Sequence, residues 1–166
     1  MNGSLKNLEP LWTRSAIEMV EPLLHKDMKV FEFGSGSSTI WFAERVKEVI
    51  TLESSPEWTR IVNEWIKERN ITNVTAHLRD ITKGEYMSPI LAGREAEFDL
   101  ILVDGAFRRV ESFERAIPKL KMNGYLLIDD SQTYSWSGVF NIPSVKVYQE
   151  SIPDKTGKKL SIFRRL

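Results

Sequence analysis

The chain has 166 residues, with 23 basic and 23 acidic side chains, and therefore no formal net charge at pH 7. This length is typical of one domain, and a hydrophobic share of 42% is that of an ordinary globular protein. The absence of cysteine excludes disulfides, thiolate zinc sites and a cysteine nucleophile. Balanced charge disfavours nucleic acid and acidic membranes as partners. Since no signal peptide or membrane-spanning run is present, we expect a cytoplasmic location.

Strand-like and helical patterns alternate along the chain, which predicts a parallel sheet covered by helices on both faces. The predicted strands cover residues 28–33, 48–53, 73–78, 98–104 and 125–130. Helices are predicted from Ser37 or Ser38 to about Val46, from a Ser55 cap to about Asn70, and over a stretch with Val110, Phe113, Ala116, Ile117 and Leu120 inward, perturbed by Pro118. Residues 82–97 predict a short helix and loops, and Asn123-Gly124 predicts a turn.

The end of the chain breaks this alternation. Residues 145–151 and 160–166 both have strand patterns, and only residues 152–159 separate them. A parallel crossover needs a dozen or more residues, so the two strands are expected to pair as an antiparallel hairpin. The predicted fold is a single doubly wound α/β domain over residues 1–166, with five parallel strands and a C-terminal antiparallel hairpin.

Glycines and acidic residues follow the predicted strands, where a doubly wound sheet binds its ligand. The features are Glu32-x-Gly34-x-Gly36, Glu53, Asp80 and Asp104, one beyond each of the first four strands. The two glycines allow the backbone to turn sharply and to approach a ligand closely. Glu53 lies 19 positions after Gly34, close to the roughly 20 expected of a carboxylate that binds ribose hydroxyls. Asp80 is placed to accept a hydrogen bond from an exocyclic amine such as that of adenine, and Asp104 to face the reacting end.

These features resemble the class I S-adenosylmethionine-dependent methyltransferases, whose fold is a Rossmann-like seven-stranded sheet. The resemblance rests on Glu32-Phe33-Gly34-Ser35-Gly36-Ser37-Ser38-Thr39, Glu53, Asp80 and Phe98-Asp99-Leu100-Ile101-Leu102-Val103-Asp104-Gly105, and it covers about residues 28–130. The terminal hairpin is similar too, because the seventh strand of that family is antiparallel and lies beside the fifth. The resemblance implies S-adenosylmethionine as the cofactor.

The resemblance also implies a role for each matching residue. Glu32 and the loop of Gly34, Ser35 and Gly36 would hold the methionine part of the cofactor. Ser38 and Thr39, which open the helix that follows, are also predicted to bind the cofactor. Glu53 would bind both ribose hydroxyls with Ser54 beside it, Asp80 and Ile81 would contact the adenine, and Asp104 and Gly105 would line the sulfonium end. In one departure, Ser38 stands where the family often has a third glycine.

Asp104, Arg108 and Asp130 are the predicted catalytic residues. With Asp129, they resemble the small metal-dependent O-methyltransferases of the catechol type, in which an acid, a lysine and an Asp-Asn pair occupy these places. Here Asp130 replaces the asparagine and Arg108 stands near the lysine's place. Three carboxylates suit Mg²⁺, but arginine keeps its proton and is a poor general base. We predict no metal ligand, with Mg²⁺ as the minority alternative and capping of the strand as the other role for Asp129 and Asp130.

The acceptor is predicted to be a small molecule with an oxygen or nitrogen nucleophile. Asp104-Gly105-Ala106-Phe107 lacks the Asp/Asn-Pro-Pro-Tyr pattern of amino-methylating DNA enzymes, and cytosine-C5 enzymes need a cysteine. Tyr134-Ser135-Trp136 is predicted to help form the acceptor pocket, whereas Trp41, Trp58 and Trp65 are predicted core residues. Two alternatives remain: a NAD-binding oxidoreductase-like domain, and a cofactor-binding module without turnover. A homo-oligomer also remains open.

Overall fold

The structure, a computed structural model, describes residues 8–105, 108–133 and 142–166. Its seven strands are β1 (Lys29–Phe33), β2 (Glu48–Glu53), β3 (Val74–Leu78), β4 (Phe98–Val103), β5 (Leu120–Ile128), β6 (Val145–Glu150) and β7 (Ser161–Arg165). The described α-helices are α1 (Arg14–Val20), α2 (Ser37–Ala43), α3 (Pro56–Glu68), α4 (Ser88–Ala92) and α5 (Arg109–Ala116). Short 3₁₀ helices cover Glu21–Leu23, Gly84–Met87 and Ile117–Lys119.

The strands form one sheet in the order β3-β2-β1-β4-β5-β7-β6. Neighbouring strands among the first five are parallel, whereas β7 is antiparallel to both β5 and β6. The doubly wound sheet and its antiparallel hairpin are therefore confirmed. The direction of winding reverses between β1 and β4, and a sheet of this kind binds ligands in the crevice beyond the carboxyl ends of its strands at that point.

Apolar residues on alternating positions of the strands build a core on each face of the sheet. On β1, Val30 belongs to the core shared with α1 and α2, while Phe31 and Phe33 belong to the core shared with α4 and α5. Burial of one such phenylalanine contributes about 1.5–3 kcal/mol. The two cores hold the strand ends in fixed positions, and this fixes the residues that follow them.

Several local predictions are wrong. Asn123 and Gly124 lie inside β5, where Asn123 takes a left-handed backbone (φ 64°) and the pairing with β4 shifts register, so they form an irregularity of the strand and not a turn. Helix α5 ends at Ala116, before Pro118, and Leu120 begins β5. Val110 is exposed and does not face inward.

Helix α1 has no counterpart among the predicted elements. Thr13 caps it, since its hydroxyl accepts a hydrogen bond from the amide of Ala16, and Ile17 and Val20 are buried on the sheet. The capping of α3 follows the prediction: Ser55 accepts from the amide of Trp58, and Pro56 opens the helix. No helix in the described ranges is long and apolar enough to cross a membrane.

Candidate functional site

A cavity of about 740 Å³ lies beyond the carboxyl ends of β1, β2 and β4. Eight of the predicted site residues line it: Gly34, Ser35, Gly36, Ser38, Glu53, Ser54, Asp104 and Gly105. The rest of its wall is made by Leu8, Glu9, Leu11, Trp12, Ser37, Ser55, Trp58 and Trp65. The cavity thus brings together residues that follow three different strands, at the place where the topology predicts a ligand.

The loop after β1 passes very close to the loop after β4. Gly34 has a φ of +90°, and a Cβ on it would lie 2.9 Å from the amide nitrogen of Gly105 and 3.0 Å from the carbonyl carbon of Asp104. Gly36 is extended (φ −177°), and a Cβ there would meet nothing within 4 Å. Of these two positions, only that of Gly34 therefore requires a glycine. The space beside Gly36 is part of the cavity, where a ligand can approach the main chain.

Glu32 supports this loop from beneath and does not line the cavity. Its side chain is completely buried, and its two carboxylate oxygens accept hydrogen bonds from the hydroxyls of Ser38 and Thr39 at the start of α2. Burial raises the pKa of Glu32 to about 7, although the two hydroxyl hydrogen bonds oppose that shift. Glu32 therefore lies in a position that supports the loop, and its direct contact with the cofactor stays a prediction. Thr39 is also fully buried and lies outside the lining.

This buried carboxyl makes the folded protein less stable as pH rises. Because the folded-state pKa of Glu32 is about 7 and its ordinary value is 4.5, the folded state binds more protons than the unfolded state between those values. The contribution to stability is present at acidic pH and is lost as pH rises through 7. We expect wild type to lose about 3 kcal/mol relative to Glu32→Gln between pH 5 and pH 8.

Urea denaturation of the two proteins at several pH values measures this difference. The comparison cancels the contribution of His77, whose lowered pKa acts in the opposite direction near pH 6. Parallel pH profiles for wild type and Glu32→Gln would contradict the assignment.

Glu53 ends β2 and is the most extensively bonded carboxylate on the cavity wall. Its Oε2 accepts from the amide of Ser35 at 2.9 Å, and its Oε1 accepts from the amides of Ser54 and Ser55, both at 2.7 Å. The hydroxyls of Ser35 and Ser54 make longer contacts with the same two oxygens, at 3.5 and 3.4 Å. Because a hydroxyl can rotate, a ligand hydroxyl can take the place of either one. Three backbone donors fix the orientation of the group before any ligand arrives, which lowers the entropic cost of binding.

A cluster of charged side chains lies at the other end of the cavity, beyond β4 and β5. Asp104 lines the cavity, and its Oδ1 is 3.4 Å from an amino nitrogen of Arg109. Burial, and next the charge of Asp129, raise the pKa of Asp104 to about 8. Burial likewise raises the pKa of Asp129. Lys158, from the loop before β7, lies 3.0 Å from Asp129 and 3.4 Å from Asp130.

The predicted catalytic role of Arg108 is not supported by its position. Arg108 has a left-handed backbone (φ 57°), is exposed, and pairs with Glu111 at 3.4 Å. Its neighbour Arg109 begins α5 and is buried, and its guanidinium reaches the carboxylates of Asp104 and Asp130. The structure thus places Arg109, and not the predicted Arg108, beside these carboxylates, because the start of α5 decides which of the two arginines faces the sheet.

Asp80 and Ile81 follow β3 but are not part of the cavity lining. Asp80 is exposed, and its Oδ1 accepts from the amide and the hydroxyl of Thr82, at 2.9 and 2.7 Å, which lowers its pKa. Both residues thus lie outside the wall of the cavity, and their adenine contacts stay a prediction. Tyr134-Ser135-Trp136, predicted to help form the acceptor pocket, lies outside the described residues.

Three tryptophans of the cavity wall, Trp12, Trp58 and Trp65, were not predicted as site residues. Trp58 was expected in the core, but 45% of it is exposed, and it lies in the first turn of α3 after Glu53. Trp65 lies two turns further along α3, with its ring 6.5 Å from that of Trp58, and is half-buried on the same wall. Trp41 is buried as expected, and Trp12 packs edge-on against it, which holds the N-terminal segment over the cavity. Helical spacing alone does not distinguish a core stripe from a cavity wall.

Comparison with known proteins identifies the family. A family described as "Methyltransferase domain" matches residues 31–131, which is more than half of the chain. The chain belongs to this family, and the resemblance to class I methyltransferases is confirmed. No curated protein sequence matches the chain.

Solved structures of methyltransferases share its fold at low sequence identity. A methyltransferase-like protein from Silicibacter pomeroyi is 22% identical, with a TM-score of 0.72 over 95% of this chain and 88% of that one. An O-methyltransferase from Bacillus cereus in complex with SAH is 18% identical, with a TM-score of 0.72 over 90% and 78%. An rRNA methylase from Streptococcus thermophilus is 15% identical, with a TM-score of 0.72 over 91% and 94%. These likenesses establish the fold.

Proposed function

We propose that this chain is an S-adenosylmethionine-dependent methyltransferase that transfers the methyl group to an oxygen or nitrogen atom of a small molecule. The observation that carries the proposal is the cavity itself. It joins the loop of Gly34 to Gly36, the oriented carboxylate of Glu53 and the pair Asp104-Gly105 in one space. S-adenosylmethionine is the cofactor, in agreement with the family of methyltransferase domains to which the chain belongs.

The geometry suggests how the cofactor lies. Glu53, oriented by backbone amides, would accept a hydrogen bond from a ribose hydroxyl, and the exposed ring of Trp58 in the first turn of α3 would pack against the adenine. The main chain from Gly34 to Gly36 would hold the methionine part. Asp104 would then face the sulfonium. Asp80 and Ile81 lie outside the wall of this cavity, and their adenine contacts stay a prediction.

Asp104 is the proposed acceptor of the proton that the nucleophile releases. A sulfonium carries a positive charge, and a nearby cation favours the ionised form of a carboxyl group. Cofactor binding is therefore expected to lower the raised pKa of Asp104 and to make it a carboxylate at the moment of transfer. The activated methyl group needs little more than an in-line nucleophile about 3 Å away, so positioning supplies most of the catalysis.

The two alternatives are weighed by different observations. Family membership and the antiparallel β7 beside β5 favour a methyltransferase over a NAD-dependent oxidoreductase. A cofactor-binding module without turnover would share all the described geometry. A small-molecule acceptor agrees with the zero net charge of the chain, whereas the rRNA methylase among the similar structures has a nucleic-acid substrate by its name.

Turnover distinguishes the enzyme from the module. The purified chain is incubated with S-adenosylmethionine carrying a labelled methyl group and with fractions of a small-molecule cell extract, and S-adenosylhomocysteine is quantified by mass spectrometry. We expect S-adenosylhomocysteine to form only with one or a few fractions. The labelled methyl group is then expected in a small-molecule product. Cofactor binding without formation of S-adenosylhomocysteine in any fraction, and also with tRNA and rRNA added, would contradict the enzymatic part of the proposal.

A further inference from the structure

The acidic cluster beyond β4 and β5 has the spacing of a metal site. One oxygen from each of Asp104, Asp129 and Asp130 lies within 4.8 Å of the others. Carboxylate oxygens at this spacing are the ligands that Mg²⁺ and Ca²⁺ prefer. A divalent cation, the minority alternative of the sequence prediction, is therefore the hypothesis to test against the geometry of this cluster.

Two side-chain cations already occupy the space among these carboxylates. Arg109 lies 3.4 Å from Asp104 and 3.7 Å from Asp130, and Lys158 lies 3.0 Å from Asp129 and 3.4 Å from Asp130. Each of the three acids thus faces at least one cation, and Asp130 faces both. A divalent ion would have to displace these charges or lie beside them, and both arrangements are electrostatically unfavourable.

Arg109 is anchored by the backbone and cannot move aside readily. Only 7% of it is exposed, and its guanidinium donates hydrogen bonds to the carbonyl oxygens of Gly105 and Asp104 at 2.9 and 3.3 Å, and to that of Asp129. Arginine also keeps its proton at all physiological pH values. The positive charge at this position is therefore permanent.

Lys158 is presented by an ordered turn. Oδ1 of Asp154 accepts from the amides of Thr156 and Lys158 at 2.8 and 3.1 Å, and Gly157 takes a φ of +84° that favours glycine. Lys159, the next residue, pairs with Glu150 at 2.7 Å and not with the cluster. The turn therefore directs one of two adjacent lysines to the carboxylates.

One observation favours a bound ion. Asp129 is almost completely buried, and its Oδ1 has no hydrogen-bond partner among the described residues. An unsatisfied buried acceptor is unfavourable, and a bound ion would satisfy it. Against this single atom, a metal would disturb the ion pairs of two cations, Arg109 and Lys158, and would leave their charges without partners. The side-chain cations are the stronger effect, and the residues do not fit a divalent ion.

We propose that Arg109 and Lys158 take the place of a divalent cation, so that this chain binds no Mg²⁺ at the cluster, and that Lys158 is the positioning residue that holds Asp129 and Asp130 beside Asp104. This inference rests on the proposed function in one respect: Asp104 is taken to lie at the end of the cavity where the methyl group is transferred. The acceptor is then oriented by protein side chains and not by chelation to a metal.

Calorimetric titration with Mg²⁺ and with Mn²⁺ tests this without any acceptor. Lys159→Gln is the matched control, because it removes a neighbouring charge. Wild type and this control are expected to show no binding with a dissociation constant below about 1 mM, the weak limit of natural sites. Lys158→Gln exposes the carboxylates and is expected to bind Mn²⁺ with a dissociation constant at least about 10-fold below that limit. Lys158→Arg retains the positive charge and is expected to behave as wild type does.

Either of two results would overturn the proposal. The first is that wild type binds Mg²⁺ or Mn²⁺ with a dissociation constant below about 1 mM and that Asp129→Asn abolishes this binding. This comparison does not need Lys158→Gln, so it tests the proposal even if that variant does not fold. The second is a folded Lys158→Gln with no gain in Mn²⁺ affinity. S-adenosylhomocysteine binding, measured on the same samples, separates failure of this proposal from failure of the proposed function.

Discussion

Replacement of Gly34 by alanine is expected to destabilise the protein by about 3 kcal/mol or more and to abolish cofactor binding. The added Cβ would lie 2.9–3.0 Å from the backbone of Asp104 and Gly105, and no flexible side chain can yield there. A positive φ costs a non-glycine residue about 1–3 kcal/mol, and overpacking costs a similar amount. For a chain of this size the melting temperature would fall by on the order of 10 °C. Thermal and urea denaturation measure the loss.

Gly36→Ala is the matched control, two positions along the same loop. Gly36 is extended, and its Cβ would meet no atom within 4 Å. We expect its free energy of unfolding to stay within about 1 kcal/mol of wild type. Equal stability of the two variants would show that the loops after β1 and β4 do not meet as described, and would contradict the geometry of the cavity.

Glu53→Ala is expected to weaken the binding of S-adenosylhomocysteine by about 10- to 100-fold. A hydrogen bond to a charged group contributes about 1.5–3 kcal/mol, and the substitution removes the one proposed for a ribose hydroxyl. It also releases the amides of Ser35, Ser54 and Ser55, so the orientation of the loop would be lost as well. Calorimetry measures the change in affinity.

Glu57→Ala provides the control for charge. Glu57 lies in the first turn of α3, is exposed and does not line the cavity, so wild-type affinity is expected. Thermal denaturation of Glu53→Ala checks that it folds, and Glu53→Gln, which keeps the shape of the side chain, replaces it if it does not. An affinity unchanged in a folded Glu53 variant would remove Glu53 from the cofactor site.

Features with a strong local cause could be predicted from the sequence. The apolar run of β4 and the branched residues of β2 define strands, and the ten residues between β6 and β7 are too few for a crossover. Once the strands are placed in parallel order, Gly34, Glu53 and Asp104 must follow their carboxyl ends. Half of the cavity lining therefore follows from strand ends alone.

Features that depend on long-range packing could not be predicted. Lys158 reaches Asp129 only because β7 pairs with β5, and no local pattern marks that contact. The choice of Arg109 over Arg108 depends on where α5 begins. Trp58 has the same helical spacing whether it faces the core or a ligand. In each case the deciding information is the rotation or pairing of an element, which the tertiary structure sets.

The central claim is that the cavity binds S-adenosylmethionine, and calorimetric titration of the wild-type chain with S-adenosylhomocysteine and, separately, with NAD tests it most directly. We predict saturable binding of S-adenosylhomocysteine at one site per chain and no binding of NAD. The absence of S-adenosylhomocysteine binding to the folded chain, or saturable binding of NAD in its place, would contradict it.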